Sequence, residues 1–213
     1  MKIIKGLATV AFMCITTVTI AQGGDNDNRE EFLFGLKAGA NFSNVYDSKS
    51  EDFDADGKMG FAGGVQLSIP ITKFIGLQPE VLFSQKGFKG SGVFLGTDYS
   101  FKRTTSYIDI PLQLALKPSQ FFTILVGPQY SYLIKQKDEF NSSFFSDSQE
   151  EEFDNDNIRK NTFGFVGGLD IHIKNLVLGA RICWDVTENH GDGSSSTPRY
   201  KNVWFQGTLG YNF

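Results

Sequence analysis

The chain has 213 residues, enough for one domain, and 14% of them are aromatic. Charged residues make up 21% and the net charge is -4, so the basic surplus that nucleic-acid binding requires is absent and composition excludes that class of function. After the first 21 residues, no apolar run is long enough for a transmembrane helix.

The chain begins with the pattern of a secretory signal peptide over residues 1–21. Lys2 and Lys5 form a positively charged N-terminal region, and the apolar stretch Leu7–Ile20 follows it. Small residues then precede a cleavage position before Gln22. An N-terminal membrane anchor is the alternative, but the stretch is short and has no positive flank on its far side. Cleavage leaves one cysteine, Cys183, which cannot form an internal disulfide and which we expect to pack rather than react.

Residues 22–31 are polar and rich in Gly, Asp and Asn, which predicts a short disordered leader. From there, over 32–213, apolar residues recur at every second position, which predicts strands and a single β domain. In the clearest case, Ile108, Ile110 and Leu112 alternate with Asp109 and Pro111. Eight segments share this alternation, at 34–42, 61–69, 77–84, 107–117, 122–132, 163–173, 176–186 and 203–213.

The connections between these segments alternate in length. Three are short, near 70–73, 117–120 and 174–175, and four are long, near 44–58, 87–102, 135–160 and 187–199. This pattern predicts an all-β fold, an eight-stranded antiparallel up-and-down transmembrane β-barrel with short periplasmic turns and long external loops. A soluble barrel such as a lipocalin is the alternative, but the polar face is rich in Gly and Ala with few charges, which favours a narrow filled interior.

Several blocks of the sequence resemble the PorT-type outer-membrane β-barrel family, an OmpA- and OmpX-like eight-stranded barrel. The matching blocks are 35–44, 60–64, 77–87, 107–112, 127–128 and 209–213. The resemblance implies an outer-membrane location in a Gram-negative cell envelope. It implies function less closely, because one branch of the family assists secretion and most members have no assigned role.

Six charged residues fall on the polar face of the predicted strands and form a candidate charge network in the lumen: Lys37, Glu80, Asp109, Asp170, Arg181 and Asp185. A lone charge in a narrow interior is costly, so we expect Lys37 and Arg181 to pair with the acids. His172 lies on the same face. A gated or proton-linked passage is the functional alternative, but nothing in the spacing favours it.

The last strand ends with Leu209, Tyr211 and Phe213 on one face. This ending resembles the signal that the outer-membrane assembly machinery reads. It also fits a lipid-facing edge of the strand that closes against the first, and both interpretations hold together.

Three predicted loops contain residues whose side chains suggest metal binding, catalysis or contact with a partner. Asp52, Asp54 and Asp56 match the start of a calcium loop, but the twelfth position is Gly63 where a closing Glu is needed. In the last long loop, the side chains of His190, Asp192 and Ser194 suggest a catalytic triad, although the run is better interpreted as a flexible loop tip.

Segment 135–160 combines eight acidic residues with four phenylalanines: Phe140, Phe144, Phe145 and Phe153. A solvated acidic loop has no need of four Phe, so the segment either folds over the barrel mouth or contacts a secretion-system or surface partner.

The sequence thus predicts a monomeric, non-enzymatic outer-membrane barrel without a cofactor. It contacts outer-membrane lipid and, during biogenesis, the assembly machinery, and it acts through its external loops or as an accessory of a secretion machine. A small passive pore and a loop-based enzyme are the alternatives.

Overall fold

The structure is a computed structural model that describes residues 27–47, 56–94, 97–142, 146–151, 159–189 and 200–213. The predicted signal peptide and the first residues of the leader lie outside these ranges. The described part of the leader was expected to be disordered, but Asn28–Glu30 form one 3-10 turn. No helix in these ranges is long and apolar enough to cross a membrane.

Within these ranges, nine strands follow the leader. They are β1 (Leu33–Asp47), β2 (Asp56–Pro70), β3 (Ile75–Phe94), β4 (Thr97–Ser119), β5 (Phe122–Ser142), β6 (Ser146–Glu151), β7 (Asn161–Ile173), β8 (Leu176–Asp185) and β9 (Tyr200–Asn212). All pairings are antiparallel.

Eight of the nine strands close into a ring. Neighbouring strands pair in the order β1, β2, β3, β4, β5, β7, β8 and β9, and β9 returns to β1 with Ala40 opposite Gly207. Strand β6 stands outside the ring and pairs with the end of β5. The predicted eight-stranded antiparallel barrel is confirmed.

Side chains alternate between the two faces of the ring because successive residues of a strand point to opposite sides. Along β8 the pattern of exposed and buried residues has no exception. Large apolar side chains face outward, for example Leu112, which is 51% exposed, and Phe205, which is 56% exposed. Polar side chains face the interior, so the faces are those of a barrel that contacts lipid rather than those of a soluble barrel.

Tight turns close one end of the barrel, as the sequence predicts. After β2, the Thr72 hydroxyl accepts hydrogen bonds from the backbone N–H groups of Phe74 and Ile75. Between β7 and β8, Lys174 has a φ of 56°, and the Asn175 side chain donates to the carbonyl of Asn212. Short turns lie on the periplasmic side of such barrels, which also places both ends of the barrel chain there.

At the opposite end of the barrel, the structure differs from the prediction in two of the loops. Segments 87–102 and 135–160 are not loops throughout, because β3, β4 and β5 continue as paired strands to Phe94, from Thr97 and to Ser142. A strand needs about 9–11 residues to cross the hydrocarbon layer, and these three have 20, 23 and 21. Their outer ends and β6 therefore form a four-stranded sheet beyond the membrane, which we call the outer sheet.

Close packing of the strands at the base of the outer sheet requires a glycine at position 87. Gly87 has a φ of +142°, a region that favours glycine, and a Cβ there would lie 2.0 Å from the carbonyl oxygen of Arg103. Its N–H donates to the Ser43 hydroxyl, which in turn donates to the Gly87 carbonyl. This arrangement ties β3 to β1 past the intervening strand β2.

Candidate functional site: the filled lumen and the outer sheet

The periplasmic half of the lumen holds four of the predicted charges in one cluster. Lys37 Nζ donates to Glu80 Oε1 at 2.7 Å, and Arg181 Nη2 donates to Asp170 Oδ2 at 3.0 Å. The Gln78 amide joins the two pairs, because its Nε2 lies 2.9 Å from Glu80 Oε1 and 3.3 Å from Asp170 Oδ2. Two cations and two anions make the cluster neutral, and all five side chains are buried.

A second ion pair lies further toward the outer end. Lys86 Nζ donates to Asp109 Oδ1 at 3.0 Å and to the Ser131 hydroxyl at 3.3 Å. The same ammonium lies 3.7 Å from the centre of the Trp204 ring and 4.5 Å from that of Tyr107. Aromatic faces attract a cation more strongly in a site that excludes water, so these contacts add to the ion pair.

The pairing differs in part from the sequence expectation. Asp109 pairs with Lys86 rather than with Lys37 or Arg181. Lys86 was not among the predicted site residues, yet it has the same strand parity as Glu80 and Ser84 on β3, and that parity places it inside. Asp185 Oδ2 accepts from Asn202 Nδ2 at 2.6 Å, and within the described ranges no cationic group lies within 4.0 Å of its carboxylate.

Neutral side chains fill the space between the charges. Asn41 links β1 to β3 and β9, donating to the Ser84 hydroxyl at 2.9 Å and accepting from Gln206 at 3.0 Å. Trp204 is 1% exposed and packs with Val166 and Cys183. Cys183 is buried and free, in agreement with the expected packing role.

At the outer end, ion pairs join the strands of the outer sheet. The Arg103 guanidinium donates two parallel hydrogen bonds to Asp138, at 2.8 and 2.7 Å. A third, at 3.0 Å, reaches the Tyr200 hydroxyl on β9 and so crosses the barrel mouth. On the opposite face of this sheet, Lys102 donates to Glu139 at 2.7 Å.

The inner face of the outer sheet carries aromatic residues. Phe88 packs with Tyr200 at the base, and Phe101 lies 5.9 Å from Phe88. Further out, Phe140 stacks on Tyr99 at 5.8 Å and is 39% exposed. Directly opposed residues share a face, and Phe140 is opposite Phe101, so these rings form one surface that leads outward from the lumen.

Several predicted sites fall wholly or partly outside the described residues. Asp52 and Asp54 of the weak calcium motif, the segment with His190, Asp192 and Ser194, and Phe144, Phe145 and Phe153 all lie there. Asp56 is exposed at the start of β2. Within the described ranges no group of three His, Cys, Asp or Glu side chains is placed to hold a metal ion.

The proposed assembly signal lies on the outer surface of the last strand. Leu209, Tyr211 and Phe213 are 54%, 44% and 46% exposed. Phe213 stacks on Phe34 at 6.2 Å, and its N–H donates to the Phe34 carbonyl at 2.8 Å. The chain terminus thus closes the ring against β1 and presents an apolar face.

A closed ring of eight antiparallel strands, apolar outside and filled with paired polar groups inside, defines a small outer-membrane β-barrel. Residues 20–190 match the family described as "Outer membrane protein beta-barrel domain", and the chain belongs to that family. It is an outer-membrane protein. The comparison with curated proteins found no match.

Solved structures with a similar fold include those of three bacterial proteins. Ail, the attachment invasion locus protein of Yersinia pestis, has 16% identity and a TM-score of 0.46, with 86% of this chain and 99% of that chain covered. Neisserial surface protein A has 11% identity and a TM-score of 0.47, with 90% and 100% covered. OprG of Pseudomonas aeruginosa has 13% identity and a TM-score of 0.41, with 89% and 99% covered.

Proposed function

We propose that this protein is a non-enzymatic barrel with a sealed lumen that acts by binding a partner on the inner face of its outer sheet. The observation that carries the proposal is the continuation of β3, β4 and β5 as paired strands beyond the membrane. A pore has no need of such a sheet, whereas a binding surface gains affinity from being rigid before the partner arrives.

The aromatic residues on that face supply the binding chemistry. Tyr and Phe are enriched at the centres of protein interfaces, because they bury a large area at a low cost in conformational entropy. Phe140 and Tyr99 are stacked and partly exposed, and the Arg103–Asp138 pair holds their strands together from below. The partner is a surface ligand or a component of a secretion machine, the second being the role that the PorT-type resemblance favours.

The experiment is site-specific photo-crosslinking in intact cells. A photoreactive phenylalanine analogue replaces Phe140 on the inner face, Lys89 on the outer face of the same sheet, or Phe163 on the barrel exterior, which is 56% exposed. We expect a defined protein adduct from position 140, little from position 89, and lipid adducts from position 163.

The identity of the adduct separates the two kinds of partner. A secretion component recovered with position 140 supports the accessory role, and a secreted or host surface protein supports the receptor role. Equal labelling from positions 140 and 89, or none from either, contradicts a binding function for the inner face.

We also propose that residues 1–21 form a cleavable signal peptide. The intact mass of the protein extracted from outer membranes should correspond to a chain that begins at Gln22. A mass that includes Met1 would instead support the membrane anchor.

A further inference from the structure

The periplasmic end of the lumen contains a cavity that the ion pairs do not fill. Its volume is about 340 Å³, and its walls include Arg29 of the leader together with Ser68, Lys117, Thr123, His172 and Asn212 of five strands. This volume lies in the range of small-molecule sites, which begins at about 300 Å³.

Lys117 is the feature that gives this cavity a chemical preference. The residue is 5% exposed, and its Nζ donates to the Ser68 hydroxyl at 3.1 Å and to the carbonyl of Arg29 at 3.1 Å. A lysine ammonium has three N–H donors, so these two contacts leave one donor without a partner of its own.

The charge of Lys117 also lacks a counter-ion. Lys37, Lys86 and Arg181 each lie within 3.0 Å of a carboxylate, but no carboxylate of the described residues lies within 4.0 Å of Lys117 Nζ. Its charged neighbour is Arg29, which has the same sign and is itself held by Asp27 at 2.7 Å. A buried cation without a counter-ion is costly, and an anion in the adjoining cavity would remove that cost.

Other walls of the cavity add groups that recognise an anion. The Thr123 hydroxyl and His172 Nε2 share a hydrogen bond of 3.0 Å, and their strands, β5 and β7, follow the strand of Lys117 around the ring. The leader closes the cavity from the periplasm, because Arg29 lies over the Phe74 ring at 5.4 Å and Lys73 lies 3.2 Å from Asp27.

We propose that this cavity binds a small oxyanion from the periplasm, a phosphate or carboxylate group, with Lys117 as its principal ligand. The proposal is independent of the outer sheet, which lies at the other end of the barrel. The group is either a free ion or part of a larger molecule such as a lipid headgroup, since both present the same oxygens to the site.

The test is an NMR titration of the folded protein in a detergent without phosphate or carboxylate groups. Inorganic phosphate and succinate are the probes, and the amides of Lys117, Thr123 and His172 report binding. We expect saturable shifts at these amides with one of the probes at concentrations up to about 10 mM, a range that includes weak specific sites. Phosphatidylglycerol added at a low mole fraction, without free phosphate, tests the lipid source.

Two lysine variants separate the site from general electrostatics. Lys117→Gln should weaken binding at least about tenfold, whereas Lys174→Gln removes the same charge from an exposed residue at the edge of the same cavity and should weaken binding far less. Lys117→Arg, which keeps the charge, should retain saturable shifts. Heat-dependent gel mobility verifies that each variant is folded.

The proposal is overturned if wild-type protein shows no saturable shift with any of the three probes. It is also overturned if Lys174→Gln weakens binding as much as Lys117→Gln, because the effect is then one of net charge at the mouth. The wild-type titration decides the first outcome even if Lys117→Gln does not fold.

Discussion

At the scale of single residues, the ion pair between Lys86 and Asp109 is the contact whose loss should be most damaging. Both side chains are at most 1% exposed. Lys86→Met leaves the Asp109 carboxylate buried without a partner, which should lower the free energy of unfolding by about 3–5 kcal/mol. Urea titration in lipid vesicles, followed by the heat-dependent shift in gel mobility, measures the change.

Two control variants show whether the loss of stability in Lys86→Met comes from the unpaired Asp109 carboxylate. Lys86→Met combined with Asp109→Leu removes both charges and should be less destabilising than Lys86→Met alone. Lys102→Met removes one partner of the solvent-exposed pair with Glu139 and should destabilise the barrel much less than Lys86→Met does. If Lys86→Met costs no more than Lys102→Met, the interior pair does not stabilise the barrel.

The inward position of these charged residues could be predicted from the sequence, but their pairing could not. The alternation along each strand correctly predicts which side chains face inward, because it depends only on neighbours in the chain. Which of them meet depends on the stagger between strands around the ring, and alternation contains no information on stagger. For that reason the sequence predicted the inward position of Asp109 but not its pairing with Lys86.

Leu112 and Gln113 test the assignment of the two faces with adjacent residues. Leu112 is 51% exposed on the outer surface, and Gln113 is fully buried. Leu112→Arg should destabilise the barrel by about 2–4 kcal/mol, because it places a charge in the hydrocarbon layer. Gln113→Ala should be mild, since neither amide atom of Gln113 has a hydrogen-bond partner among the described residues. Urea titrations in vesicles that gave the reverse order would contradict the assignment of faces.

At the scale of elements, the outer sheet is the part that the sequence did not predict. The regular alternation of apolar residues ends near Tyr107 on β4 and Ile134 on β5, which suggested loops. The strands continue as a pair past a register shift, because Ser106 lies opposite Lys135 and Tyr107 lies opposite Leu133, which leaves Ile134 of β5 as an extra residue. Such a bulge reverses the parity that a pattern search follows along β5. Beyond the membrane, ion pairs and aromatic contacts hold the strands, so an apolar lipid-facing band is no longer required.

The pH dependence of this sheet follows from Glu139. Hydrogen bonds from Lys102 and then Lys137 lower the pKa of Glu139 from 4.5 to about 2. A carboxylate with a lowered pKa stabilises the folded sheet fully above its ordinary pKa, and the contribution is lost as the pH falls through the folded value. The contact should therefore persist at pH 5 and weaken between about pH 4.5 and 2.

An NMR titration of the Glu139 side-chain carbon measures this pKa directly. Lys102→Gln should move the midpoint upward, toward 4.5. A wild-type midpoint near 4.5 would mean that the ion pairs of Glu139 with Lys102 and Lys137 do not form in solution.

At the scale of the whole molecule, the sequence was sufficient for the architecture. The number of strands in the ring, their antiparallel order and the side with tight turns follow from a period of two and from turn chemistry, both of which are local. The periplasmic cavity did not follow, because the leader, β2, β4, β5, β7 and β9 all contribute to its walls. Its position arises only when the ring closes.

Closure of the ring also leads to the prediction that the lumen does not conduct ions. Eight strands enclose a space that side chains fill, and here the Lys86 ammonium lies over the ring faces of both Tyr107 and Trp204. Below them, Arg181 lies between Asp170 and Glu80, at 2.8 and 3.7 Å from their oxygens. A continuous file of water would have to break these pairs and leave their charges unpaired in a confined interior.

Purified protein in planar bilayers should therefore show no stable channel steps. Arg181→Ala is the informative companion, because it removes the cation that joins the two acids without changing the ring of strands. If the wild-type protein gives reproducible unitary steps whose size changes in Arg181→Ala, then ions pass through this network and the passive-pore function replaces the one proposed. Steps that appear only in Arg181→Ala would show instead that the network is the seal, as the geometry of the cluster predicts.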